Sequence, residues 1–148
     1  MFYVQENEKI VLCDEKFDIL QDTIAFMPQY KNLEIQETDK NIVNFNGSFY
    51  FEDDVEYKER KQKQEAERIS MLCLTKREIF LAIYADKGIS PEEIRALMPD
   101  KKAQIEFDYA EKYYRGNPLV DSLGGILGYT KEDLDYLFEN KSLPQKSI

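Results

Sequence analysis

Near Asp54 the hydrophobic pattern of this chain changes period, and that change limits the folds open to it. Before that point, apolar residues form short runs or alternate. Phe2–Val4 and Ile10–Cys13 are short runs, while in Leu33–Glu37 the residues Leu33, Ile35 and Glu37 alternate with Glu34 and Gln36. Such patterns suit strands, whose side chains repeat every second residue. The clearest case is segment 41–52, NIVNFNGSFYFE, where two β-rich runs flank Asn46-Gly47. Both turn residues tolerate positive φ, so the segment predicts a two-residue hairpin. Phe49 and Phe51 then share a core-facing side, and Tyr50 stands on the wetter side with Ser48 and Glu52. Between strands, Asp14–Met27 predicts a helix through Phe17, Leu20, Ile24 and Met27, closed by Pro28.

From Asp54 onward the spacing is helical. Asp53-Asp54 and Glu56 supply a cap and negative charge at a helix start, and Lys58, Arg60, Lys61 and Lys63 follow. Residues 58–65, KERKQKQE, hold no apolar side chain, so this stretch is solvated, bridging or covered by another molecule. Ile69, Leu72 and Cys73 are the first anchors after it. Thr75-x-x-Glu78 then predicts a capping box, a face of Ile79, Phe80, Ile83 and Tyr84, and an end at Gly88. Ser90-Pro91-Glu92-Glu93 repeats the start signal ahead of Ile94, Leu97 and Met98. Asp100 predicts a longer helix with Ile105, Tyr109 and Tyr113 on one stripe, ended by Gly116. Pro118 opens the next, through Leu119, Leu123, Ile126 and Leu127 to Gly128. Thr130-x-x-Asp133 opens the last, with Leu134, Leu137 and Phe138 inward. Helices this short do not stand alone and must share a core. The expected architecture is α+β, with an acidic β-rich part over 1–53 and a bundle of short helices over 54–148.

The first 57 residues hold 13 acidic side chains against four lysines, and the remaining 91 hold 16 of each sign, so the whole net charge of −9 falls in the first segment. A field of that sign repels nucleic acid and anionic lipid and attracts basic surfaces. The chain contains no histidine, which removes the commonest general base and most zinc and iron sites. Cys13 and Cys73 are too few for a disulfide framework and are expected to be buried thiols in a reducing compartment. No run is apolar enough to span a bilayer, and the start lacks the pattern of a secretory signal. These features point to a non-enzymatic cytoplasmic protein without cofactor or metal. Hydrophobic content of 43% marks it as an ordered domain and not an acidic tail.

Several local signals have plainer explanations. Helix–Gly88–Ile89–Ser90–helix has the spacing of a DNA-reading motif, but residues 91–98 offer only Arg95 against Glu92 and Glu93, as an ordinary helical corner would. The KERKQKQ run mixes its charges with Asp54, Glu56, Glu59, Glu65 and Glu67, as a solvated helix does. Glu52, Asp53, Asp54 and Glu56 lack the spacing and glycine of a calcium loop. Phe107, Tyr109, Tyr113 and Tyr114 read as core, and Gly124-Gly125-Ile126-Leu127-Gly128 as close helix packing rather than a phosphate loop.

The stretches LTKREIFLAIYADKGISPEEIRALM and IEFDYAEKYYRGNPLVDSLGGILGYTKEDLDYLF resemble small proteins encoded in or near the tail region of bacteriophages and prophages of low-GC bacteria. The resemblance covers about residues 65–140. It carries no catalytic motif, and implies phage origin, a protein–protein role and residence in the host cytoplasm. Two specific functions are expected from it and from the charge. One is an anti-CRISPR-like inhibitor, whose carboxylates occupy a basic nucleic-acid channel of a host defence nuclease. The other is a virion accessory or tail-assembly protein. The partner is in either case a protein with a basic surface, with no direct nucleic-acid or membrane contact. The expected contact residues are Tyr50, Glu52, Asp53, Asp54 and Glu56, with Glu37 and Asp39 on the connection into the same hairpin.

Overall fold

Two pairs of residues with positive φ fold the N-terminal chain into hairpins: Asn7 and Glu8 at 51° and 65°, and Asn46 and Gly47 at 52° and 83°. Positive φ at both central positions matches the right-handed twist of the flanking strands. The Asn46-Gly47 turn is the one expected from sequence; the Asn7-Glu8 turn is an additional one. A computed structural model describes residues 1–145, and within it the chain is α+β. The first hairpin joins β1 (Phe2–Glu6) to β2 (Lys9–Asp14), and the second joins β4 (Ile42–Phe45) to β5 (Ser48–Phe51). With the two-residue β3 (Gln36–Glu37) they form one antiparallel sheet of order β3-β1-β2-β5-β4. The expected strand over Leu33–Glu37 is thus cut to its last two residues. Leu33 and Ile35 instead pack beside Val4, Leu20 and Ile24.

Helix α1 (Phe17–Ala25) crosses the β1–β2 hairpin, burying Leu20 and Ile24 against Val4. Val11 and Leu12 both pack on this cluster, which strict alternation would forbid. A β-bulge where Val4 and Gln5 face Leu12 and Ile10 turns the two neighbours to one side. Phe17 is more exposed than expected: it opens the helix and meets the rim of that cluster, edge-on to Phe2 at 5.5 Å. Ile10 pairs with Phe49, and Tyr3 meets Phe51 edge-on at 5.2 Å, so the two phenylalanines share a face, but both are only half-buried and neither joins a core cluster.

Helix α2 (Val55–Ser70) starts where the period changes, and none of its side chains is buried. Two compact units divide inside it, Met1–Lys63 and a second that begins at Gln64. The polar first half of the helix thus belongs with the sheet. The last three residues of the expected 54–148 range lie outside the described residues.

In the second unit β6 (Cys73–Thr75), α3 (Lys76–Lys87), α4 (Pro91–Ala96), α5 (Lys101–Tyr109), β7 (Lys112–Tyr114), α6 (Pro118–Ile126) and α7 (Lys131–Asn140) surround one core. Thr75, Ser90 and Thr130 each form the expected reciprocal capping box, and Gly88 closes α3 at φ 67°. Each cap stabilises its helix by about 1 kcal/mol. Ile94, Leu97 and Met98 divide: Ile94 and Met98 are buried and Leu97 is exposed. Ala82 takes the inward place expected of Tyr84, which faces solvent.

The long stripe Ile105–Tyr109–Tyr113 does not exist. Ala110 is extended (φ −71°, ψ 133°) and ends α5, whose inward residues are Ala103 and Phe107. Residues 112–114 pair instead with 73–75, each strand burying its middle residue, Tyr113 and Leu74. The pairing joins residues about forty apart, so the local spacing that mimicked a helix carried no sign of it. Tyr113 is therefore core, as Phe107 is, whereas Tyr109 and Tyr114 are exposed. The expectation of two buried thiols is also corrected: Cys73 flanks buried Leu74 and alternation turns it outward, and Cys13 is half-buried.

Candidate partner-binding surface

The residues expected to meet a partner do not form one patch. Glu37 lies on β3, opposite Phe2, at one edge of the sheet, while β4 forms the other edge. Asp39, Glu52 and Asp53 line a shallow depression of about 440 Å³ with Lys40, Asn41 and Lys58. Tyr50, Asp54 and Glu56 line a different groove of about 390 Å³, together with Val11, Tyr30 and Arg60.

Within these two hollows Glu52, Asp53, Asp54 and Glu56 already have partners, whereas Asp39 and Glu8 have no ion-pair partner among the described residues. Lys40 Nζ lies 2.7 Å from Asp53 Oδ2 and 5.7 Å from the centre of the Phe51 ring. The Lys40 ammonium holds the Asp53 carboxyl below its usual range, and its own pKa rises in return. Asn41 Nδ2 donates to Glu52 Oε2 at 2.9 Å. Asp54 Oδ1 accepts the backbone N–H groups of Glu56 and Tyr57 at 2.8 and 3.3 Å, which makes it the cap of α2. Arg60 bonds Glu56 at 2.8 Å, one turn along the helix.

Tyr50 is not a free outward ring. It is half-buried and stacked on Tyr57 at 5.9 Å, with the Arg60 guanidinium 6.0 Å from its centre. Tyr57 also meets Phe45 edge-on at 5.7 Å. The first turns of α2 fold onto the side of the hairpin that the sequence alone left open to water.

This return changes the charge distribution. Lys58, Arg60, Lys61 and Lys63 join the N-terminal unit, so Met1–Lys63 holds 14 acidic and 8 basic groups, a net −6, and the rest of the chain carries −3. The signal for the pairings was present in the sequence. Extending the register of the Asn46-Gly47 turn places Asn41 opposite Glu52 and Lys40 opposite Asp53.

Further carboxylates without an ion pair lie around α1. Glu15, just before α1, and Asp18 and Asp22 within it are exposed, and no described residue pairs with them. Beside them Ile19 and Phe26 are also exposed. Their place could have been read from the helical period, which puts them opposite Leu20 and Ile24.

The second unit offers little that resembles a chemical site. An interior void lined by Phe80, Ile83, Leu123 and Leu137 measures about 30 Å³, room for a water and not for a cofactor. Arg95, the single cation of the apparent DNA-reading helix, is held bidentately by Asp108 at 2.7 and 2.9 Å. Arg115 is buried, and its Nε and Nη1 donate to Asp135 at 2.7 Å and to Asp121 at 2.9 Å. Such a charge is stable inside only because its donors are satisfied. Gly124 packs closely on Leu134, whereas Gly125 and Gly128 face open space, so the close-packing reading holds for the first glycine of the run. Ile105, Tyr109 and Pro118 border an open depression of about 620 Å³. No helix of the described residues is long and apolar enough to cross a membrane, and no cluster of three metal-ligating side chains forms among them.

No protein-family model, no curated protein and no solved structure matches this chain.

Proposed function

We propose that this chain is a non-enzymatic protein-binding module of phage origin, acting as a virion accessory or tail-assembly protein. The observation that carries this reading is the internal pairing of the hairpin acids. Asp53 is bonded to Lys40, Glu56 to Arg60 and Glu52 to Asn41, and Asp54 caps a helix. A mimic of nucleic-acid phosphates needs rows of uncompensated carboxylates, and these are not free. Large apolar side chains, by contrast, stand in water on both units, with Phe26 87% and Tyr109 82% exposed. Exposed aromatics of this kind are the usual anchors of protein interfaces. Phage origin rests on the sequence resemblance.

The nuclease-inhibitor reading retains two supporting observations, the net −6 of Met1–Lys63 and the unpaired carboxylates Glu15, Asp18 and Asp22. The two readings separate in one experiment. The purified protein is mixed with virions of the phage that encodes it, and separately with a guide–nuclease complex. Co-sedimentation with the virion or its tails is the expected result, with nuclease cleavage unaffected. Loss of cleavage at stoichiometric protein, without virion binding, would reverse the choice.

A further inference from the structure

Helix α1 has two faces that differ in kind. Leu20 and Ile24 point into the sheet, and Ile19, Asp22 and Phe26, at i, i+3 and i+7, point the other way, with Asp18 beside them. Ile19 is 47% exposed and Phe26, at the helix C-cap, is 87% exposed. Among the described residues Phe26 makes no aromatic contact, unlike Phe2, Phe45 and Phe51 in the same unit. Asp18 and Asp22, one turn apart on this face, have no cation of the described residues within bonding distance. Lys16 is the one basic residue between positions 10 and 30.

We propose that this outward face of α1 is a docking surface for a basic amphipathic helix of a partner protein. The inference rests on the protein-binding reading and says where and by what chemistry binding occurs. Ile19 and Phe26 lie two turns apart, about 10 Å along the axis, which is the spacing of successive anchors on a facing helix. Covering them requires an apolar stripe. The carboxylates that border the stripe set the charge of its flanks: Lys or Arg on the partner completes Asp18 and Asp22, and Glu or Asp is repelled. The hairpin acids are poorer contributors, because each would first have to leave its own partner.

Two designed helical peptides test this, with identical leucine stripes and flanks of lysine in one and glutamate in the other. Each is titrated into the isotope-labelled full chain. The lysine peptide is expected to shift the backbone resonances of residues 15–26 and the glutamate peptide to leave them unmoved. F26A, which removes a solvent-exposed ring, and D18K/D22K should each weaken binding by about tenfold or more. E106K/E111K, with the same change in net charge, should stay within about twofold. Thermal melts of all variants check that they fold. Equal affinity in F26A overturns the proposal. Binding lost in E106K/E111K instead moves the site to the depression around Tyr109 and leaves the protein-binding reading intact. Failure of both peptides, with virion uptake preserved, refutes the basic-helix occupant alone. Dimerisation of the chain that F26A abolishes would make a second copy the occupant and also overturn the proposal.

Discussion

Gly124 and Gly125 are neighbours in α6, yet a methyl group should have opposite effects at the two. A Cβ on Gly124 would sit 2.5 Å from Leu134 Cδ1 and 3.2 Å from its Cγ, so the whole buried side chain would have to move. Displacing it costs about 1–3 kcal/mol, since the void of about 30 Å³ beside it is too small to take a leucine side chain. At Gly125 nothing lies within 4 Å, and φ there is not positive. Alanine at this exposed helical position gains about 0.5–1 kcal/mol of helix propensity. Thermal unfolding should therefore show G124A melting below the parent and G125A above it. Equal shifts of one sign would mean that α6 does not pack on Leu134 as described.

At the scale of single elements, the helix ends govern the acid response. Glu78 closes the capping box of α3 and also bonds Lys141 at 2.9 Å, across 63 residues. The Lys141 ammonium, then the Thr75 N–H and hydroxyl, pull its carboxyl from the ordinary 4.5 down to about 2. A carboxyl with a depressed folded-state pKa stabilises the fold above its unfolded value, and this contribution disappears as pH falls through the folded value. The stability difference between wild type and E78Q should thus be constant above about pH 5 and shrink from pH 4.5 toward pH 2. A difference independent of pH across that window would show that Glu78 acts as a neutral hydrogen-bonding group only. The box itself was legible as Thr75-x-x-Glu78, because capping joins residues three apart. The Lys141 contact was not, because only the packed core brings the end of α7 to the start of α3.

For the molecule as a whole, the two units differ in how much they bury. Fifteen buried residues form the core that runs from Leu74 to Phe138, whereas the sheet and α1 bury five, with Val4, Leu20 and Ile24 in one cluster and Tyr3 and Ile10 outside it. Each fully buried aliphatic side chain contributes about 1.5–3 kcal/mol. The sheet should accordingly open at lower free energy. In native-state hydrogen exchange, the slowest amides of β1 and β2 should exchange before those of α3 and α7. The amides of α2 between Lys58 and Ala66 should exchange earlier still, since no side chain there is buried. Sheet amides that outlast α7 would contradict this order.

The amino-acid sequence by itself determined the boundary between strand and helix, the Asn46-Gly47 turn, the three capping boxes and the glycine end of α3. Each depends on residues within about four positions of one another, where backbone geometry follows from side-chain type. The tertiary structure alone decided that Tyr113 belongs to a strand and that α2 covers Tyr50. It also decided that Phe26 remains in water. These depend on which distant segments meet, and burial is a property of that meeting. The net charge of −9 was legible from composition, but its distribution was not, because the lysines and arginine of α2 fold back beside the acids that precede them. An acidic residue advertises itself in a sequence; whether its charge is free for a partner is settled only by what the fold places beside it.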